Sequence, residues 1–142
     1  LDYSHSPSSG RTLLLSQITE LISISIDSDD ILNVYEFGSA SWCQDIVAAP
    51  DGNVWVAHEG LGVIKFDLSL NPLCCITQED GLLPSNYARS LSYDWDGRLW
   101  IGTTKGLAVF DEARKASNFY TEENIPLEEE QEINNLFLKD YW

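Results

Sequence analysis

Asp51-Gly52-Asn53-Val54-Trp55-Val56 recurs as Asp96-Gly97-Arg98-Leu99-Trp100-Ile101, 45 residues further along the chain. The likeness continues from Gly62 to Phe66-Asp67, which returns as Gly106 to Phe110-Asp111, now 44 residues on. A period in this range belongs to chains built from repeated supersecondary units, each unable to bury its apolar face alone. Each unit here holds a turn dipeptide, a Trp-bearing strand, a Gly and a second short apolar strand. That order is the sequence form of a four-stranded blade, so the pattern predicts an all-β chain, a fragment of a β-propeller.

A weaker third copy opens the chain. Gly10-Arg11-Thr12-Leu13-Leu14-Leu15 aligns with Gly97-Arg98-Leu99-Trp100-Ile101-Gly102, and Ile24-Ser25-Ile26-Asp27 with Ala108-Val109-Phe110-Asp111. Its Trp is missing, and Leu13 is expected to pack where the other copies pack Trp55 and Trp100. The first blade, about 1–42, is then assigned strands at Leu1–Tyr3, Thr12–Ser16, Leu21–Ile26 and Leu32–Phe37. The second, about 43–87, takes Asp45–Ala49, Val54–His58, Val63–Phe66 and Leu73–Thr77. The third, about 88–132, takes Arg89–Tyr93, Leu99–Thr103, Leu107–Phe110 and Ser117–Thr121. Ile133–Leu138 reads as the innermost strand of a fourth blade, begun within about 133–142.

Local chemistry agrees with these assignments. Asp51-Gly52 and Asp96-Gly97 suit tight turns, because Gly accepts the positive φ that reverses a twisted hairpin. Leu21-Ile22-Ser23-Ile24-Ser25-Ile26 alternates with a period of two, as a strand does. Helical periodicity is confined to a turn or two within Leu127–Leu136. Each Trp offers a large apolar body for the space between blades and an indole N–H that needs an acceptor.

Three blades fall short of the roughly four to eight of a closed ring. Either the chain is a piece of a longer polypeptide or several copies complete one ring; its opening on Leu1 without Met points to a missing native N-terminus. The net charge of −15 argues against nucleic-acid phosphates and against anionic membranes, both of which call for a positive surface. No stretch has the roughly 20 apolar residues of a membrane span, so this segment is not expected to insert. Cys43, Cys74 and Cys75 are odd in number, and neighbours on a strand face opposite ways. They do not read as a disulfide framework, and one or two of them are expected to serve as small apolar fillers. No zinc-ligand spacing is present. Six Glu between 122 and 132 with no cation among them read as a solvated loop rather than a calcium loop. No metal and no cofactor is expected.

With Trp100-Ile101-Gly102-Thr103, Gly106-Leu107-Ala108-Val109-Phe110-Asp111 and Asp80-Gly81-Leu82-x-Pro84-x-Asn86 in view, the chain resembles the two-component regulator propeller repeats of the periplasmic sensors of bacterial hybrid histidine kinases. The resemblance is good over 43–121, loose over 1–42 and limited to the start of a blade beyond that. Val56-Ala57-His58 departs from the family's Ile-Gly-Thr, and Glu123-Asn124-Ile125-Pro126 is an eroded link. What the resemblance implies is a periplasmic or extracellular sensor segment, non-catalytic, that binds a small polar ligand such as an oligosaccharide and signals across a membrane. The remaining blades of the same protein, or a second copy, are its implied partners.

The candidate site follows from architecture. Connections after each Trp strand share a face with the links between blades, and ligands commonly sit there near the axis. That face is expected to hold Gln17, Thr19, Glu20, His58, Glu59, Thr103, Thr104 and Lys105, with Asn86, Tyr87 and Asn134 from the links and Arg89 from an innermost strand. The ligand-binding set is His58, Glu59, Thr104, Lys105, Tyr87 and Arg89; no residue is assigned as catalytic. His5 is placed in the Ser/Pro-rich first loop. Two alternatives stand beside the sensor reading. One is an assembly module that closes a ring by association. The other is a polysaccharide lyase using His58 with Glu59 or Tyr87 as acid and base.

Overall fold

The computed structural model describes residues 2–6, 10–16, 19–38 and 42–123. Twelve strands and no helix occur among them, in three antiparallel sheets of four. The first sheet holds β1 (Asp2–Ser6), β2 (Gly10–Ser16), β3 (Glu20–Ser25) and β4 (Ile31–Glu36). The second holds β5 (Cys43–Ala48), β6 (Val54–His58), β7 (Gly62–Phe66) and β8 (Pro72–Ile76). The third holds β9 (Ala88–Tyr93), β10 (Leu99–Thr103), β11 (Gly106–Asp111) and β12 (Ala116–Tyr120). Spatial order equals chain order in every sheet, and the first strands approach one another, β1 to β5 and β5 to β9. Three up-and-down blades are thus arrayed around their innermost strands, as the repeat predicts.

The repeat's glycines have distinct physical duties. Gly52 and Gly97 take φ values of 88° and 78° in turns of one design: their N–H groups donate to the carbonyls of Ala49 and Asp94. Gly62 and Gly106 begin β7 and β11, also at positive φ. A Cβ at either would strike the carbonyl of Ile76 or Tyr120 at the end of the adjoining outer strand.

The second sheet is covered on both faces, and every residue of β6 is buried. Strand alternation divides its side chains. Val54 and Val56 pack with Leu14, Leu21, Ile46, Phe66 and Leu70 against the first sheet. Trp55, Ala57 and Val63 pack with Leu91, Leu99, Ile101, Ala108 and Phe110 against the third.

The degenerate copy corrects the expectation for Leu13. Leu14, fully buried, is the residue of β2 that packs between the first two sheets, while Leu13 is half-buried and lies on the opposite face. A one-residue offset on a strand exchanges faces, and without a Trp the alignment had no anchor to fix it. His5 is likewise not in a loop: β1 extends to Ser6, and His5 pairs with Arg11 across the first hairpin. The cysteines are all free; Cys43 packs at the first interface, whereas Cys74 and Cys75 are exposed on β8. Burial pushes the Cys43 thiol up to about 12. Gln17, Asn134, Ile133–Leu138 and the acidic segment from Asn124 onward lie outside the described residues.

Candidate functional site

The connections after β6 and β10 and the link from β8 to β9 meet at one end of the sheets. The link is locked there by Asn86. Its carbonyl accepts from the N–H groups of Gly60 and Gly62 at 3.0 and 2.9 Å. Its side-chain oxygen accepts from the Gln78 N–H at 2.7 Å, and its Nδ2 donates to both Glu79 oxygens at 2.8 Å. That bond holds the Glu79 carboxyl below its ordinary value. Asp80 accepts from the N–H groups of Thr77 and Leu82, which shapes the start of the same link. Asn86 and Asp80 therefore hold the loop rather than offer free groups to a ligand.

Glu59 is the centre of what this scaffold presents. Its N–H donates to the Trp42 carbonyl at 2.9 Å, and it forms an isolated antiparallel bridge with Tyr87. Trp42, Glu59 and Tyr87 consequently stand side by side across neighbouring backbone segments. Both aromatics are exposed, at 57% and 51%. The Glu59 carboxylate accepts from Gln44 Nε2 at 3.2 Å and from Arg89 Nη2 at 3.3 Å. One carboxylate, one guanidinium and one amide are thus gathered on a backbone row that also carries two exposed aromatic residues, with the formal charges of Glu59 and Arg89 opposed.

The other expected residues divide around this cluster. Thr104 joins it through its N–H, which donates to the Tyr87 carbonyl at 3.2 Å, while its hydroxyl lies 3.0 Å from that of Ser85. Lys105 is exposed at the tip of the β10–β11 hairpin. Thr103 closes that hairpin by donating to the Gly106 carbonyl at 2.7 Å. His58 is placed differently: its side chain is fully buried, with the ring centroid 4.8 Å from that of Phe37 between the first two sheets. Ending a strand did not bring it to the surface, because the first sheet lies over it. Thr19 and Glu20 take part in the β3–β4 hairpin, where the Thr19 carbonyl accepts from the Phe37 N–H.

Trp42 and Gln44 were missed by the sequence reading, although the repeat carries the signal. Trp42 and Tyr87 are 45 residues apart, as are Gln44 and Arg89, and Glu59 and Thr104. The bond from Glu59 N–H to the Trp42 carbonyl has its counterpart in the bond from Thr104 N–H to the Tyr87 carbonyl. Projecting the period back from Tyr87 and Arg89 would have named both residues. Among the described residues no group of three or more His, Cys, Asp or Glu is gathered as a metal site. No helix among them is long and apolar enough to cross a membrane.

Residues 82–105 match the family described as Two component regulator propeller. Among solved structures, the chain is similar to the extracellular domain of BT3049 from B. thetaiotaomicron, a protein described as a hybrid two component system. The TM-score is 0.65 at 20% identity, covering 84% of this chain and 17% of that one. It is also similar to PorZ, a bacterial surface component of the type-IX secretion system of Porphyromonas gingivalis. There the TM-score is 0.59 at 22% identity, covering 70% of this chain and 16% of that one. The chain therefore spans about a sixth of either structure, and the likeness establishes the propeller fold. No curated protein sequence matches the chain.

Proposed function

We propose that this chain is part of the extracytoplasmic sensor of a bacterial two-component signalling protein, a non-catalytic binding propeller located in the periplasm or outside the cell. The observation that carries the reading is the row Trp42–Glu59–Tyr87, flanked by Gln44 and Arg89. Aromatic faces beside planar polar side chains suit a small polyhydroxylated ligand such as an oligosaccharide, whose C–H faces stack while its hydroxyls exchange hydrogen bonds. Thr104 and Lys105 border the same end. A two-component role is supported by the family match over 82–105 and by the likeness to a two component system's extracellular domain.

Binding is favoured over lyase chemistry by what the residues already do. His58, the imidazole that chemistry would use, is packed against Phe37, and the Glu59 oxygens accept bonds from Gln44 and Arg89. The test is calorimetric titration with a panel of oligosaccharides. A saturable ligand is expected to lose about tenfold in affinity in Tyr87→Ala and again in Arg89→Ala, about 1.4 kcal/mol each. An identified ligand whose affinity neither change alters would remove this site.

A second reading is assembly. Leu13 and Leu15 lie on the face of the first sheet away from the second, and Trp100 and Val109 on the far face of the third. Both faces are apolar, like those that meet inside the chain. A further sheet of the same kind, from the same polypeptide or a second copy, fits each of them. Solution mass separates the two sources, because closure by a second copy requires a dimer.

A further inference from the structure

Each sheet ends in an outer strand whose far edge has no strand partner among the described residues, but the three edges differ in how they are guarded. Strand β8 begins with Pro72, which cannot donate to a further strand. Strand β12, Ala-Ser-Asn-Phe-Tyr, has no aliphatic residue larger than Ala and follows the cations Arg114 and Lys115. Strand β4 has neither device. Its sequence, Ile-Leu-Asn-Val-Tyr-Glu, contains no Pro, Lys or Arg, and it exposes Ile31, Leu32 and Val34 at 63%, 49% and 50%. Natural sheets protect such edges against unwanted pairing. An unguarded one is a template for a strand.

The register shows what would fit. Leu32 is the extra residue of a bulge: Ser23 pairs with Asn33 and Ile24 with Ile31. The regular free edge is therefore Asn33 to Glu36. Val34 stands beside Ile22, Asn33 beside Ser23 and Tyr35 beside Leu21. An added strand would extend these rows with an aliphatic residue next to Val34 and, on the other face, a threonine next to each of Asn33 and Tyr35, offering a hydroxyl to the amide and a methyl to the ring. Charge fixes the ends. Asp29 and Asp30 are exposed just before β4 and Glu36 is exposed at its close, whereas Asp27 is paired with Arg11. A second copy pairing antiparallel would set its Glu36 beside Asp29 and Asp30 of the first, twice over. Pairing in parallel would set like ends together. Both put like charges opposite one another, which is unfavourable.

We infer that the β4 edge is a docking site for an extended segment of another protein, aliphatic and small polar in alternation and carrying Lys or Arg at both ends, which adds to the first blade as a fifth strand. The probe is a fluorescent octapeptide of alternating valine and threonine with lysine at each end, titrated into the whole chain and read by anisotropy. Saturable binding is expected, weakening as salt is raised. Val34→Lys is expected to lower affinity at least about tenfold, while Asn118→Lys on β12 is expected to leave it unchanged, with both variants checked to unfold at the temperature of the parent. A peptide of the same sequence N-methylated at alternate residues keeps its charge and loses its donors, and it should not bind. Three outcomes would overturn the inference: no saturable binding, equal binding of the N-methylated peptide, or equal loss in both lysine variants. So would concentration-dependent dimers that Val34→Lys abolishes and Leu13→Lys, on the same face but away from the edge, leaves intact, since the edge would then pair with itself.

Discussion

The two interfaces inside this chain solve one packing problem with different chemistry. Between the first and second sheets the contact is mainly aliphatic and aromatic, with His58 and Ser23 buried in it. Leu14 and Leu21 meet Val54 and Val56, and Tyr35 lies edge-on to both Phe37 and Phe66, at 5.1 and 4.9 Å between ring centroids. Between the second and third sheets a Trp is present, and polar groups cluster around it. Trp55 Nε1 donates to the Tyr93 hydroxyl at 2.7 Å, and Lys65 Nζ lies 5.4 Å from the Trp55 ring centroid. Lys65 also ties Asp51 of its own sheet to Glu112 of the next. Asp45 adds a second tie by accepting from the Leu91 N–H at 2.9 Å. The contrast explains why the Trp defines the repeat: it fills volume and also brings a donor that requires a polar partner, so polar order builds up around it.

The largest break is expected at Trp55. Trp55→Ala removes a fully buried ring and strands the Tyr93 hydroxyl, which should cost about 4 kcal/mol in denaturant unfolding. Leu14→Ala, the matching deletion at the first interface, should cost about 3 kcal/mol, because only aliphatic volume is lost. A loss at Trp55 no larger than that at Leu14 would contradict the dominant packing role given to the Trp55 ring.

A smaller effect isolates those ties. Lys65→Met preserves the stem while removing the charge that joins Asp51 and Glu112, and it should cost about 1 kcal/mol, because both carboxylates are half-exposed. The pH dependence sharpens this. Burial pushes the Asp51 carboxyl up, but its bonds from Lys65 and Asn53 outweigh that and hold it below 3.8. Its contribution is present above 3.8 and is lost as pH falls through the lower folded value. Burial pulls Lys65 down, yet Asp51 and Glu112 prevail and raise it above 10.5. Its contribution is present below 10.5 and is lost as pH rises through the folded value. Unfolding curves of the parent and Lys65→Met should therefore stay parallel between 3.8 and 10.5 and converge on either side of that window. Curves that stay parallel to lower pH would rule out the ion pairs as the source of the difference.

Most strand positions were legible because each rests on local chemistry repeated in the chain. Asp-Gly turns, alternating aliphatics and the second Gly recur, and the strands formed within a few residues of where those signals placed them. Legibility failed where the repeat had lost its landmark. Without a Trp, the face carrying Leu13 could not be told from the face carrying Leu14, since a strand exchanges faces at every residue. The candidate site was legible in part. Glu59, Tyr87 and Arg89 could be placed at one end by their positions after strands and links. Trp42 and Gln44 were overlooked because they precede the conspicuous part of the repeat, although the same 45-residue spacing relates them to Tyr87 and Arg89.

The sequence by itself determined the unit, four short strands with fixed turns, because turn geometry and side-chain alternation are local properties that each copy states separately. Tertiary structure alone decided how the copies meet, and with that which polar groups are used up and which remain available. His58 and Glu59 are neighbours in the chain, yet one is sealed beneath the first sheet and the other stands between two exposed aromatics. What separates them is the packing of one blade on the next, which depends on residues far apart in the chain and leaves no local signature.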